Sequence, residues 1–312
     1  MREVLTPTTV LAVDLGGTKV EAALVSPEGT VLEGSRARAT TGATKTAEEL
    51  AAAVTEVVTA ALAAAPQHGT VIGAGIGCAG PVHQENGTVS PLNLTAWRNY
   101  PLRDLVAAIS GLPTTLRIDG LCITLAEHWV GAGQGIDNLM GMVVSTGVGG
   151  GLIVGGHAVA GPSGNAGHIG HIQVGGATEL CPCGGIGCVE AVASGPRTVA
   201  WAREHGFTGL TGEDLAAAHA AGDPIAHRAV ARAGHAVGSA IASATALLDL
   251  ERVAIGGGFA GVSPALFDHI RQAIAERHGF DFVTSVEVVP SGLSGVGPLV
   301  GAAALIYRAD RL

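Results

Sequence analysis

Apolar residues dominate Thr9 to Gly16 and again Val20 to Val25, which read as two buried strands with Gly-Gly-Thr-Lys between them. Pro27-Glu28-Gly29 then turns the chain into a third strand, Thr30 to Ala39, so the opening is a meander. Thr46-Ala47-Glu48-Glu49 has capping-box spacing and starts an Ala-rich helix that runs to about Ala65. Val71 to Gly77 returns as a strand, Leu102 to Ile109 is helical, and the strand Thr115 to Ile118 completes the first unit. A helix from about Leu121 to Val130 leads to the strand Met140 to Ser145, the glycine turn Thr146 to Gly151 and the strand Leu152 to Val154. That repeats the opening order of strand, glycine turn, strand. Asp223 to Leu250 is mostly helical, Val253 to Ile255 is a strand ending in Gly256-Gly257-Gly258, and a last helix starts at Gly297.

The length of 312 residues favours two lobes, because single cores seldom grow past about 250–300 residues. No Pro/Ser-rich linker divides the chain, so the lobes are expected to be hinged through short crossings. The net charge of −9 and 3% aromatic content argue against nucleic-acid and anionic-membrane partners. A phosphate-bearing ligand must therefore be held locally, by backbone amides, a cation or a few side chains. Met1-Arg2-Glu3 and the early Asp14 do not fit a secretory signal, which points to the cytoplasm. The uncharged run Leu139 to Ala166 is broken throughout by Gly, Ser, Thr, Asn and His, and reads as buried strand and loop rather than a membrane span.

Both glycine turns lie between strands, whereas a Rossmann or Walker loop lies between a strand and a helix. A strand-turn-strand loop can instead wrap phosphates with its own amides, since glycine removes the Cβ that blocks close approach. Two such loops, one per lobe, suggest a nucleotide clamped in a cleft; each alone would pass as an ordinary hairpin. Asp14 before the first turn could hold Mg²⁺ against the phosphates, and Lys19 would add positive charge. Phosphoryl transfer also needs a carboxylate to accept a hydroxyl proton, and Asp119, between a strand and a helix, is the candidate. The same position suits a helix N-cap.

Three of the five cysteines fall in Cys181-Pro182-Cys183-Gly184-Gly185-Ile186-Gly187-Cys188, ten residues after His171. Three thiolates and an imidazole with turn glycines between them make a closed tetrahedral shell, the chemistry of a structural zinc, with His171, Cys181, Cys183 and Cys188 as ligands. Cys78 and Cys122 read as small buried residues.

Asp14-Leu15-Gly16-Gly17-Thr18-Lys19 resembles the first phosphate motif of the ROK sugar kinases, and Thr146-Gly147-Val148-Gly149-Gly150-Gly151 the second. Gly256-Gly257-Gly258 is similar to that family's adenosine-side loop, and the cysteine segment with Val189-Glu190 to its zinc signature. The resemblance spans nearly the whole chain. It implies an α/β, actin-like ATPase (ribonuclease H-like) fold with a cleft between two lobes. Residues 1–118 plus 297–312 would form the small lobe, with the C-terminal helix folded back on it, and 119–296 the large one. It further implies ATP-dependent phosphorylation of a hexose 6-hydroxyl with Asp119 as base, and a homodimer. The sugar would lie against Gly80, Ile118, Asp119, His168, His171 and Glu190.

Two positions depart from the family pattern. Ile118 stands where the family has the Asn before its catalytic Asp, and His168 replaces the Glu of Gly-Glu-x-Gly-His. Ile118 cannot hydrogen-bond and His168 can donate as well as accept, so a modified hexose is expected, an amino sugar of secondary metabolism such as kanosamine first, glucose or a C7-cyclitol otherwise. Two non-kinase readings compete. A sugar-responsive repressor would carry a helix-turn-helix ahead of the first phosphate motif, and thirteen residues precede Asp14 here. A sugar-binding regulator without turnover would have less need of Asp14 and Asp119.

Overall fold

The computed structural model describes residues 8–276 and 279–312. The opening residues on which the reading of an absent leader rests lie outside them.

The first unit is a five-stranded sheet. Its strands are β1 (Thr8–Leu15), β2 (Lys19–Val25), β3 (Ala37–Thr40), β4 (Thr70–Cys78) and β7 (Thr114–Ile118), in the order β3-β2-β1-β4-β7. Helix α1 (Ala47–Ala63), the short α2 (Ala65–His68), the small ribbon β5 (Val82–His83) with β6 (Thr88–Val89), and α3 (Leu102–Ser110) complete it. Side chains of β1 alternate between two apolar layers. Leu11, Val13 and Leu15 join Leu50, Val54 and Val57 of α1, while Val10 and Ala12 face Leu299, Ala302 and Ala303 of the C-terminal helix. A strand covered on both faces has no polar side, which is why its sequence is continuously apolar. The expected return of the C-terminal helix onto the first unit is thereby met.

Helix α4 (Asp119–Val130) leads to the second sheet, built from β8 (Leu139–Val144), β9 (Val148–Val154) and β10 (His157–Ala158). Next come α5 (Val189–Ala193), α6 (Gly195–Glu204), α7 (Gly212–Ala220) and α8 (Pro224–Leu248), followed by β11 (Arg252–Gly256), α9 (Ala265–Ala275), α10 (Asp281–Thr284), β12 (Glu287–Pro290) and α11 (Gly297–Tyr307). The order β10-β9-β8-β11-β12 copies the first sheet, with two antiparallel pairs followed by two parallel ones. The repeated strand-turn-strand plan is thus an internal duplication of topology. No helix among the described residues is long and apolar enough to cross a membrane.

The capping box forms as read: Glu49 N–H donates to Thr46 Oγ1 at 3.2 Å and Thr46 N–H to Glu49 Oε2 at 2.7 Å. Two expectations need correction. The third strand is only Ala37–Thr40, because Ser35 is buried with its hydroxyl on Leu32 O and its oxygen accepting from Leu24 N–H, and Gly34 turns at φ 74°. What remains of the earlier part is a single bridge, Val25 to Val31. The second glycine turn is also shorter than read, since Gly149, Gly150 and Gly151 lie within β9.

Gly151 lets α4 approach the sheet, since a Cβ there would stand 2.5 Å from Gly120 O. A Cβ on Gly120 would stand 2.1 Å from Gly150 O, and one on Gly301 would stand 2.1 Å from Cys122 O. Backbone therefore lies on backbone from β9 through α4 to α11, and the start of α4 is held where the two units meet. At the other end of α4, the fully buried Glu127 accepts from Ala132 N–H (2.7 Å), Gly292 N–H (3.2 Å) and the Ser291 hydroxyl. Residues 131–132 lead from α4 into β8 and 291–292 from β12 into α11. One carboxylate thus ties both crossings between the units.

Candidate functional site

The two glycine hairpins open into one cavity of about 390 Å³, within the size range of small-molecule sites. Asp14, Gly16, Gly17, Thr18 and Lys19 form one wall, at the end of β1 and the turn into β2. Thr146, Gly147, Gly149 and Gly150 form the facing wall, at the turn between β8 and β9. Asp119 and Ile118 come in from the β7–α4 junction, Gly80 from the segment after β4, and His168, His171 and Glu190 from beside the cysteine loop. Gly256 and Gly257 line the same cavity, whereas Gly258 faces an adjoining hollow that shares Gly256, Gly257, Ser291 and Gly295 and includes Phe267 and Arg271.

Asp14 is 8% exposed, and burial followed by the Asp119 carboxylate pushes its carboxyl up to about 7, against a smaller opposing pull from Lys19. Two carboxylates facing one cavity are the ordinary setting for a bound cation. Lys19 lines the cavity, but its ammonium also sits 2.5 Å from Glu21, a buried carboxylate that Arg36 and Arg38 share. Asp119 is the first residue of α4. The N-cap position is Ile118, without a side-chain bond, and the Asp119 carboxylate accepts from the adjacent Gly120 N–H at 2.7 Å. Asp119 thus lies one residue inside the cap position, with its carboxylate on a first-turn N–H. Burial, aided by Glu190, raises its pKa against the pull of the Gly120 bond.

Glu190 lies in the first turn of α5, and its Oε2 accepts from Val148 N–H at 2.9 Å. It therefore lashes the cysteine segment to the second hairpin. His168 is held below the ordinary imidazole range by burial and by His171, whose ring centroid is 5.6 Å away. A Cβ on Gly80 would stand 3.1 Å from both His168 Nε2 and Ile118 Cδ1, so these three residues form one close wall.

His171, Cys181, Cys183 and Cys188 come together, with their ligand atoms all within 4.8 Å of one another. Cys183 Sγ to Cys188 Sγ and Cys181 Sγ to His171 Nδ1 are both 3.7 Å. A tetrahedron with metal–sulfur bonds of about 2.3 Å has sulfur–sulfur edges of about 3.8 Å, so the donor set and its spacing fit zinc. His157 is exposed, with its ring on Gly155 O, and is absent from the cavity lining. Asn93, Ser145 and Ser291 line the cavity and were missed from sequence. Only Ser145 carried a signal, as the residue that ends the strand before the second turn.

The carboxyl of Asp14 yields a stability test. The unfolded carboxyl loses its proton near 4 and the folded one near 7, so folding becomes costlier as pH rises through that window, by about 4 kcal/mol at most. In the absence of magnesium and nucleotide, Asp14→Asn is expected to melt above the unsubstituted protein at pH 8, with the difference shrinking toward pH 4. A constant difference across that range would exclude the effect.

The ROK family model matches residues 10–309. An N-acetylmannosamine kinase of Shigella boydii is 35% identical over 249 residues, covering 80% of this chain and 82% of that protein. A ROK family glucokinase from Streptomyces griseus, solved with glucose and AMPPNP, superimposes with TM-score 0.82 at 31% identity, covering 95% of this chain and 98% of that one. A ROK family transcriptional regulator, a homologue of the E. coli MLC protein, gives TM-score 0.84 at 27% identity over 97% of this chain and 78% of its own.

Proposed function

The chain belongs to the ROK family and has its two-lobed, actin-like ATPase fold, and from that premise we propose that it transfers the γ-phosphoryl of ATP to the 6-hydroxyl of an amino hexose. The observation that carries this reading is the meeting of Asp14, Asp119 and both glycine hairpins in one cavity with Glu190 and His168. In this proposal residues 1–118 and 297–312 make the small lobe and 119–296 the large lobe.

Asp119 accepts the hydroxyl proton, a role served by a carboxylate whose pKa burial has raised. Amides of the Gly16–Lys19 and Thr146–Gly150 turns hold the phosphates, and the hollow lined by Gly258, Phe267 and Arg271 takes the nucleoside. Asp14 would hold Mg²⁺, which supplies charge neutralisation at the β- and γ-phosphates. The His171–Cys181–Cys183–Cys188 cluster would hold a structural zinc that fixes the turn bearing His168 and the helix bearing Glu190.

The sugar class follows from the wall of Gly80, Ile118 and His168. The Ile118 methyl offers no hydrogen bond, while His168 offers one donor and one acceptor. The apolar end of an acylamino group can lie on the Ile118 methyl while its polar atoms pair with His168, and the similarity to an N-acetylmannosamine kinase supports that class. Glucose is the second reading, favoured by the likeness to the S. griseus enzyme. ADP release measured over glucose, glucosamine, N-acetylmannosamine, N-acetylglucosamine, kanosamine and a C7-cyclitol tests both. Highest kcat/KM on an amino hexose is expected; a preference for glucose overturns the substrate assignment, and no ADP release with any sugar overturns the kinase reading.

A further inference from the structure

The carboxamide of Asn165 bonds to both backbone groups of Val82. Val82 N–H donates to Asn165 Oδ1 at 2.8 Å, and Asn165 Nδ2 donates to Val82 O at 2.7 Å. The two residues are 83 positions apart. Val82 follows Gly80 and Pro81 on the segment that leaves β4, whereas Asn165 lies in the loop that leads to His168. The side chain thus imitates one rung of a strand pair between segments that form opposite edges of the close wall.

The packing around this clasp is tight. A Cβ on Gly164 would stand 2.9 Å from Gln84 Cβ, so the loop lies flush on the 82–84 segment. Two residues before Val82, Gly80 stands against His168, three residues after Asn165. Because Val82 is buried, loss of the carboxamide would leave both its peptide groups unpaired and cut off from water, and the two segments would separate to hydrate them.

We propose that Asn165 is a positioning residue for the sugar: by clasping Val82 it sets the separation of Gly80 and His168, and with it the width of the sugar pocket. This rests on the sugar-kinase reading. The nucleotide end of the cavity does not touch the clasp, so a separation of the two substrates is its signature.

The test compares Asn165→Ala, Asn165→Ser and Asn165→Asp with the unsubstituted chain, using the sugar that the ADP-release panel selects. In Asn165→Ala the sugar KM is expected to rise about tenfold, equivalent to ~1.4 kcal/mol, while the ATP KM and the kcat at saturating sugar stay within about twofold. Asn165→Ser retains one hydrogen-bonding group and is expected to be intermediate. Asn165→Asp keeps the acceptor for Val82 N–H but turns a carboxylate oxygen toward Val82 O, and is expected to match alanine. Ser163→Ala removes only the 3.3 Å contact between Asn165 and the Ser163 hydroxyl and is expected to change nothing.

The sugar-induced rise in melting temperature reads binding without turnover and shows whether each variant is folded. An unchanged sugar KM in a folded variant, or sugar and ATP KM rising together, overturns the inference. If the unsubstituted chain binds sugar without releasing ADP, the kinase reading falls and the melting shifts still decide the clasp. If it binds no sugar, both fall.

Discussion

Replacing Asp119 by asparagine is expected to lower kcat by about 10²–10⁴-fold, with sugar and ATP affinities changed no more than a few-fold. The substitution preserves shape and the oxygen that accepts from Gly120 N–H, so the start of α4 keeps its geometry. It removes only the capacity to take a proton. If Asp119 served only the start of the helix, asparagine would serve as well and nothing would change. Steady-state kinetics with direct measurement of sugar and nucleotide binding would check this. Retention of more than a tenth of the kcat would remove Asp119 from the base role.

Removal of zinc is expected to have the other large effect. Structural zinc sites contribute roughly 10–16 kcal/mol of binding free energy at neutral pH in small peptide systems, all of it coupled to folding. Within residues 173–188 the backbone ordering consists of two isolated bridges, Gln173 with Cys188 and Leu180 with Ile186, and a few turn bonds. That is too little to hold four ligands together without the metal. Metal analysis should find one zinc per chain. Cys181→Ser combined with Cys188→Ser should lose it, lower the melting temperature and cut kcat/KM by at least about a hundredfold, because His168 and Glu190 lose their support. Metal-free protein with full activity would contradict the assignment.

Local pattern and local chemistry were legible in sequence; contacts between distant segments were not. The strand-turn-strand repeats, the capping box and the zinc spacing lie within short windows, and each appears in the fold. The third strand was overextended because Glu33-Gly34-Ser35 gives little sign that Ser35 will be buried to bond Leu24 and Leu32. Gly149 to Gly151 read as turn because glycine favours turns, yet here all three lie in a strand, and Gly151 serves the passage of α4 across it. Asn93 was invisible for another reason: a lone amide in a loop carries no periodicity, and it matters through its position beside Gly17, where a Cβ would come within 2.9 Å of it. The union of Glu127 with Ser291 and Gly292 joins residues about 165 positions apart, beyond any local window.

The glycines around the cavity divide by what confronts their vacant side. Gly120 is confronted by protein, as are Gly151 and Gly301, and any larger residue at these three would pry the crossing of α4 apart. Gly149 is confronted by nothing within 4 Å, and its backbone angle suits any amino acid. Folding makes no demand on that position. A side chain there would take up cavity space, so on the proposed reading glycine at 149 leaves room for the phosphates rather than for the packing of helix on sheet.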